Sequence, residues 1–191
     1  MGRLINDKIN ICRDCQKAME PLFISFRVNT YKGLSVYYYT QFIRQLIYQY
    51  KGCFDYELNE VFINMYSHEL KIRYSGYYAV PIPSFKEDDE KRGFNHVVEI
   101  FNNLGLKTLD LLEKVNERKQ ATSTFAERQK VYKNLTLKSH IDLRNRKILL
   151  VDDIYTTGAT MKSAINLVEK LNPKDLKVLV IAKTKPLDKR K

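Results

Sequence analysis

No apolar run in this 191-residue chain is long enough to cross a bilayer, and the opening stretch MGRLINDKIN lacks the apolar core of a signal peptide. Both absences point to a cytoplasmic protein with no membrane insertion. Cysteine is scarce and odd in number, three in all, which argues against a disulfide framework and leaves metal binding or plain burial. Acidic residues are in the minority: 22 Asp and Glu face 33 Lys and Arg, and the net charge of +11 suits a partner or ligand rich in phosphate. No internal repeat and no low-complexity segment is present. The remaining composition, 44% hydrophobic with 12% aromatic, fits one globular α/β domain with a real core and a small appendage.

Residues 1–32 read as that appendage, with a Cys-x-x-Cys at Cys12 and Cys15 and a turn at Lys32-Gly33, and residues 33–191 as the main domain. Phe42, Ile43, Leu46, Ile47 and Tyr50 recur at spacings of three and four, so a helix is expected from Tyr38 to Tyr50, stopped by Gly52. A second helix is expected from about Tyr56 to Tyr74. "YYAVPIP" reads as a strand running into a loop stiffened by Pro81 and Pro83, because proline cannot sit inside a central ladder. Helical spacing returns at 94–104, "KTLDLLEKV" reads as a short strand with its flanks, and the polar segment 116–134 as a loop. "KILLVDD" is the clearest buried strand; Met161, Ala164, Ile165, Val168 and Leu171 form the inward stripe of the helix after it, and "KVLVIAK" is a further strand. Strands alternating with helices imply a mainly parallel sheet flanked by helices.

The stretch "ILLVDDIYTTGAT", residues 148–160, carries the chemistry. In an open parallel sheet, ligands gather outside the carboxyl ends of the strands, where Asp152 and Asp153 stand. Adjacent carboxylates leaving a core repel each other, and hydroxyl donors or a divalent cation would offset that cost. Thr156, Thr157, Gly158, Ala159 and Thr160 then open a helix, so backbone N–H groups, hydroxyls and the positive helix end all favour a phosphate. A sugar with vicinal hydroxyls and a 5′-phosphate matches both halves. A Walker loop is excluded by the missing second glycine and lysine, and a response-regulator receiver by the short remaining chain. A helix cap would account for one of these residues and not for the series.

"VDDIYTTGAT" resembles the phosphoribosyl diphosphate (PRPP) motif of type I phosphoribosyltransferases. The resemblance implies that fold and a catalytic pair in Asp152 and Asp153, which would hold the ribose hydroxyls while residues 156–160 hold the 5′-phosphate. It also implies Mg²⁺ bound with PRPP, and displacement of diphosphate at the anomeric carbon by an acceptor that the sequence does not identify. "VPIP" at 80–83, "KRGFNH" at 91–96, "RKQ" at 118–120 and "ERQKVYKN" at 127–134 extend the resemblance to the ComF (ComFC-like) competence branch. On that alignment Pro81, Arg92 and Arg128 join the PRPP-binding set; Lys91, Arg118 and Lys119 lie beside them, while Asn95 and Asn134 receive no chemical step.

ComF-like proteins commonly carry an N-terminal zinc module of paired Cys-x-x-Cys motifs. This chain has one pair, Cys12 and Cys15, where a structural zinc needs four ligands. Cys53, following Gly52 at a helix end, is expected to be buried. The family also implies a role in DNA uptake during natural transformation, beside single-stranded DNA and a ComFA-like helicase. The alternative to an enzyme is a non-catalytic accessory factor that keeps the fold and binds single-stranded DNA or protein. Its support is the interleaving of cations and aromatics in "YKGLSVYYYTQFIRQLIYQYKG", although helical spacing sends many of those tyrosines to the core.

Overall fold

The computed structural model describes residues 12–19, 21–115 and 135–185. A short helix α1 (Arg13–Ala18) leads into an antiparallel pair, β1 (Ile24–Val28) and β2 (Tyr31–Tyr38). Helix α2 (Gln41–Gly52) follows, its first turn capped by the Thr40 hydroxyl, which accepts from the Ile43 amide at 3.3 Å. Next come α3 (Asn59–Ile63), α4 (Ser67–Arg73), β3 (Tyr77–Pro81), α5 (Lys86–Arg92) and α6 (His96–Asn102). The chain continues through β4 (Lys107–Thr108), β5 (Leu112–Lys114), β6 (Leu135–Leu137), β7 (Lys147–Tyr155), α7 (Ala159–Glu169) and β8 (Asp175–Lys183).

Six strands form one sheet in the order β1-β2-β8-β7-β3-β4, parallel throughout except for the β1–β2 edge, while β5 and β6 make a separate antiparallel ribbon. This is the mainly parallel α/β sheet expected from the alternating pattern. Strand β1 lies within the segment read as an appendage, and the Lys32-Gly33 turn proves to be strand: the chain reverses instead at Asn29, whose φ is +53°. Gly33 is needed there because the Phe26 ring covers it, 2.6 Å from where a Cβ would stand.

The pleat sorts the core into two layers. Leu149 and Val151 of β7 face α2, α3 and α6 through Ile47, Phe62, Ile100 and Phe101; Ile148 and Leu150 face α7 through Met161, Ala164, Ile165 and Val168. Fully burying an aliphatic side chain is worth about 1.5–3 kcal/mol, so this strand, buried on both faces, anchors the sheet. The expected helix over 56–74 is broken into α3 and α4 with single 3-10 turns before and between them. At the break the Phe62 carbonyl accepts the Tyr37 hydroxyl at 3.1 Å, and Tyr66 turns inward. Among the described residues no helix is long and apolar enough to cross a membrane.

Candidate active site

Strands β3 and β7 end side by side, Pro81 opposite Val151, and a cleft of about 620 Å³ opens beyond them. Its walls include Ser84 and Phe85 from the β3–α5 loop, Lys91 and Arg92 from α5, Asp152, Asp153, Thr156 and Thr160 from the end of β7 and the start of α7, and Lys114 from β5. Because side chains alternate along a strand, the adjacent aspartates leave β7 on opposite faces. Asp153 continues the row of Leu149 and Val151 toward α2 and α6; Asp152 continues the row of Ile148 and Leu150 toward α7.

Asp153 is saturated with partners. Its Oδ2 accepts from the Lys51 ammonium at 2.6 Å and lies 3.3 Å from His96 Nε2, and its Oδ1 accepts from the Ile154 amide at 2.7 Å. Arg92 fixes the histidine tautomer. Its Nη1 is 3.1 Å from His96 Nδ1, and a guanidinium only donates, so Nδ1 accepts and the ring proton sits on Nε2, aimed at Asp153. Arg92 also donates to the Lys51 carbonyl at 3.0 Å and to Asp89 at 2.9 Å. Asp89 in turn accepts from Ser84 Oγ and from Asn95 Nδ2 at 2.7 Å. One polar chain therefore runs from the β3–α5 loop through Asp89, Arg92 and His96 to Asp153 and Lys51. Burial alone would push the Asp153 carboxyl up, but the hydrogen bond from His96 and the Lys51 ammonium outweigh it and hold the group below the usual carboxylate range.

Asp152 is left freer. Its Oδ1 accepts from the Asp153 amide at 2.9 Å, and no hydrogen bond to Oδ2 is seen among the described residues. Burial at the cleft wall, and then the charge of Asp153, push its carboxyl well above the ordinary range. The pair is thus divided: one carboxylate is anchored inside the protein, and the other is held at the cleft at an energetic cost that donors from a ligand would relieve.

The loop between them and α7 is shaped for close approach. Gly158 has φ +76°, and a Cβ there would run into the Tyr155 phenol. The 11-residue helix α7 starts at Ala159, directing its first amides and its positive end toward the loop. Thr156 and Thr160 line the cleft, and Thr157 accepts from the Ala159 amide at 3.4 Å.

The residues singled out in the sequence are distributed as follows. Asp152, Asp153, Thr156, Thr160 and Arg92 come together at the cleft, with Thr157, Gly158 and Ala159 forming the adjoining loop. Pro81 is the last residue of β3, one position before the cleft-lining Ile82 and Pro83. Arg128 lies outside the described residues, as does the whole polar segment 116–134. Arg92 has only 9% of its side chain exposed and is committed to Asp89, His96 and Lys51. Asn95 gains a role in holding the fold: it caps α6 by accepting from the Val98 amide at 3.0 Å. Sequence reading passed over Lys51, which sits at the end of an ordinary amphipathic helix, and gave His96 no role although it closes the "KRGFNH" segment.

Cys12 caps α1 with its sulfur, accepting from the Cys15 amide at 3.4 Å, and no cluster of three metal-ligating side chains occurs among the described residues. The expectation for Cys53 is corrected: it is exposed, because it caps the end of α2 at the start of a surface turn in which Phe54 and Asp55 are exposed as well. Of the tyrosines that suggested stacking, Tyr37 and Tyr50 are buried, while Tyr48 is exposed.

Comparison with known proteins shows the family. Residues 90–191 match the family model for the phosphoribosyl transferase domain. The chain is 35% identical to Competence protein ComFC of Streptococcus pneumoniae over 173 residues, covering 90% of this chain and 74% of that protein. It is 30% identical to Competence protein ComFC of Bacillus subtilis over 161 residues, covering 81% of this chain and 64% of the relative. Among solved structures, a hypoxanthine phosphoribosyltransferase from Staphylococcus aureus aligns with a TM-score of 0.41 at 13% identity, over 68% of each chain.

Proposed function

Because the chain belongs to the ComFC-like competence proteins, within the family of phosphoribosyl transferase domains, we propose that its cleft binds PRPP and supports transfer of the phosphoribosyl group to a nucleophilic acceptor. The observation that carries this reading is the divided aspartate pair beside a glycine-hinged helix N-terminus at the carboxyl end of a central parallel strand. Asp152, half-buried at the cleft, offers an acceptor oxygen to the ribose hydroxyls, whose O–H groups add to the one amide donor it already has. The amides at the start of α7, with Thr156 and Thr160, receive the 5′-phosphate.

Lys91 and Lys114, which line the same cleft, are the cations placed for the diphosphate, in preference to the committed Arg92. Lys114 stands 4.7 Å over the Phe85 ring, beside the loop that carries Ser84. Asp153 acts through position: fixed by Lys51 and His96, it sets the height of Asp152 and links the sugar end of the cleft to the Ser84 loop.

Mg²⁺ fits this donor set as a partner of the substrate. One free carboxylate at the cleft suits a hard cation that takes most of its oxygens from phosphate and water, and no complete protein cage is present among the described residues. When bound, it would neutralise charge on the leaving diphosphate; Asp152 is the residue to hold it with the ligand. In the transition state the anomeric carbon gains positive charge and the bridging oxygen negative charge, and the fixed carboxylates and lysines stabilise the two ends respectively.

Likeness to proteins named for competence supports a role in DNA uptake on the cytoplasmic side of the membrane, with single-stranded DNA and a ComFA-like helicase as partners. The test of the site itself uses half-ligands. Ribose 5-phosphate and inorganic diphosphate should each protect the protein against thermal unfolding, with Lys91→Gln/Lys114→Gln reducing only the second effect. Protection by neither half-ligand, or an equal loss of both, would overturn the assignment.

A further inference from the structure

The opposite edge of the sheet carries a feature that PRPP chemistry does not use. Arg27 of β1 pairs directly with Lys32 of β2, and Lys32 pairs directly with Lys177 of β8. Cross-strand partners share a face, so three cations stand in one row on three adjacent strands, spaced by about 4.8 Å. This face is the one that also carries Leu34 and Leu179, and α4 packs on it. Arg73 from the end of α4 reaches the same place: Arg27, Lys32, Arg73 and Lys177 line one pocket of about 520 Å³, floored by Leu34 and Tyr74. Lys147 of β7 extends the line, since its ammonium and that of Lys177 both lie over the Tyr77 ring, at 5.6 and 4.8 Å.

Charge balance at this row is poor. Asp175 is the acid paired with it among the described residues, 3.7 Å from Lys177, and it also accepts the Tyr77 hydroxyl. Arg27, Lys32 and Arg73 make no ion pair with a described acid, while Lys147 stands directly across the ladder from Asp175. Like charges directly opposed across a ladder are destabilising, and a row of three compounds the effect. A chain that needed only solubility would scatter these lysines and arginines; here separate strands and a helix bring them to one line.

We infer that this row is a second anion site, distinct from the cleft, built for a ligand carrying several phosphates in series. The linear arrangement, open to solvent at Arg27 and Lys32, suits a phosphate chain better than a single enclosed phosphate. Such a chain has two sources, a free oligophosphate or the backbone of a nucleic-acid strand, and the row offers both the same charge-assisted contacts. The inference stands independently of the PRPP reading.

The test compares wild type with Arg27→Gln/Lys32→Gln, both positions being exposed. Without ligand, the variant should melt about 1–3 °C higher, because two opposed charges are gone. Inorganic triphosphate, set against sodium chloride at equal ionic strength, should raise the melting temperature of wild type, and calorimetric affinity at this site should fall about fivefold to tenfold in the variant. A Lys91→Gln/Lys114→Gln protein should keep this affinity, which separates the row from the cleft. A thymidine 12-mer distinguishes the sources: a strand bound along the row should lose about 0.7 from its log–log salt slope for each cation removed. Tighter triphosphate with a flat oligonucleotide response assigns the site to free oligophosphates. Equal binding of both probes by wild type and variant, or a variant less stable than wild type without ligand, would overturn the proposal.

Discussion

Replacing either aspartate of the pair by its neutral isostere should change stability in opposite directions. In Asp153→Asn the fold loses the Lys51 contact of 2.6 Å and the His96 contact of 3.3 Å. The new amide N–H₂ group would face donors on both sides, and His96 cannot reverse its tautomer while Arg92 occupies Nδ1. Breaking a buried pair by removing one partner costs about 3–5 kcal/mol, and the partial exposure of Lys51, 35%, lets its ammonium regain water and reduces that to about 2–3 kcal/mol. Asp152→Asn instead removes a carboxyl whose ionisation is opposed by burial and by Asp153, so the empty protein should gain about 1 kcal/mol. For a chain of this size about 1 kcal/mol moves the melting temperature by about 2–4 °C. Differential scanning fluorimetry at pH 7 should therefore show Asp153→Asn lower by about 4–12 °C and Asp152→Asn higher by about 2–4 °C. Shifts of the same sign, or an unchanged Asp153→Asn protein, would refute the division of the pair.

The pH dependence follows with its sign. The folded-state pKa of Asp153 is depressed, so its contribution is fully present above the unfolded value of about 3.9 and is lost as pH falls through the folded value; urea midpoints measured from pH 5 down to 2 should drop more steeply in wild type than in Asp153→Asn. Gly158→Ala forces a side chain into a left-handed conformation and against Tyr155; together these cost about 2–4 kcal/mol, read as a lower urea midpoint with unchanged slope. Arg92→Gln should cost stability rather than affinity alone, whereas Lys114→Gln should leave the melting temperature within about 2 °C and weaken diphosphate binding by about tenfold.

The parts of the fold legible in the sequence are those with an uninterrupted period. β7 and α7 carry a continuous aliphatic run and a clean helical stripe, and both stand where they are expected. Strand β2 was hidden because Gly33 to Tyr37 are buried on both faces, which erases the alternation, and because the glycine that suggested a turn instead makes room for the Phe26 ring. At the site, the loop 156–160 was legible because glycine, hydroxyls and a helix start are local signals. The anchoring of Asp153 was not. Lys51 is 102 residues away from it in sequence and meets it only because α2 packs over the end of β7. Arg92 shows the limit from the other side: it lines the cleft as a cation near a phosphate site should, but no local signal announced that its Nε and Nη1 also brace the Lys51 carbonyl, Asp89 and His96.

The most direct test of the cleft is calorimetric titration of PRPP with Mg²⁺ into wild type and Asp152→Asn. The account predicts one PRPP bound per cleft by wild type and a loss of at least about tenfold in the variant, even though that variant is the more stable protein. A folded wild type that fails to bind PRPP, or an Asp152→Asn protein that binds it equally well, would contradict the account.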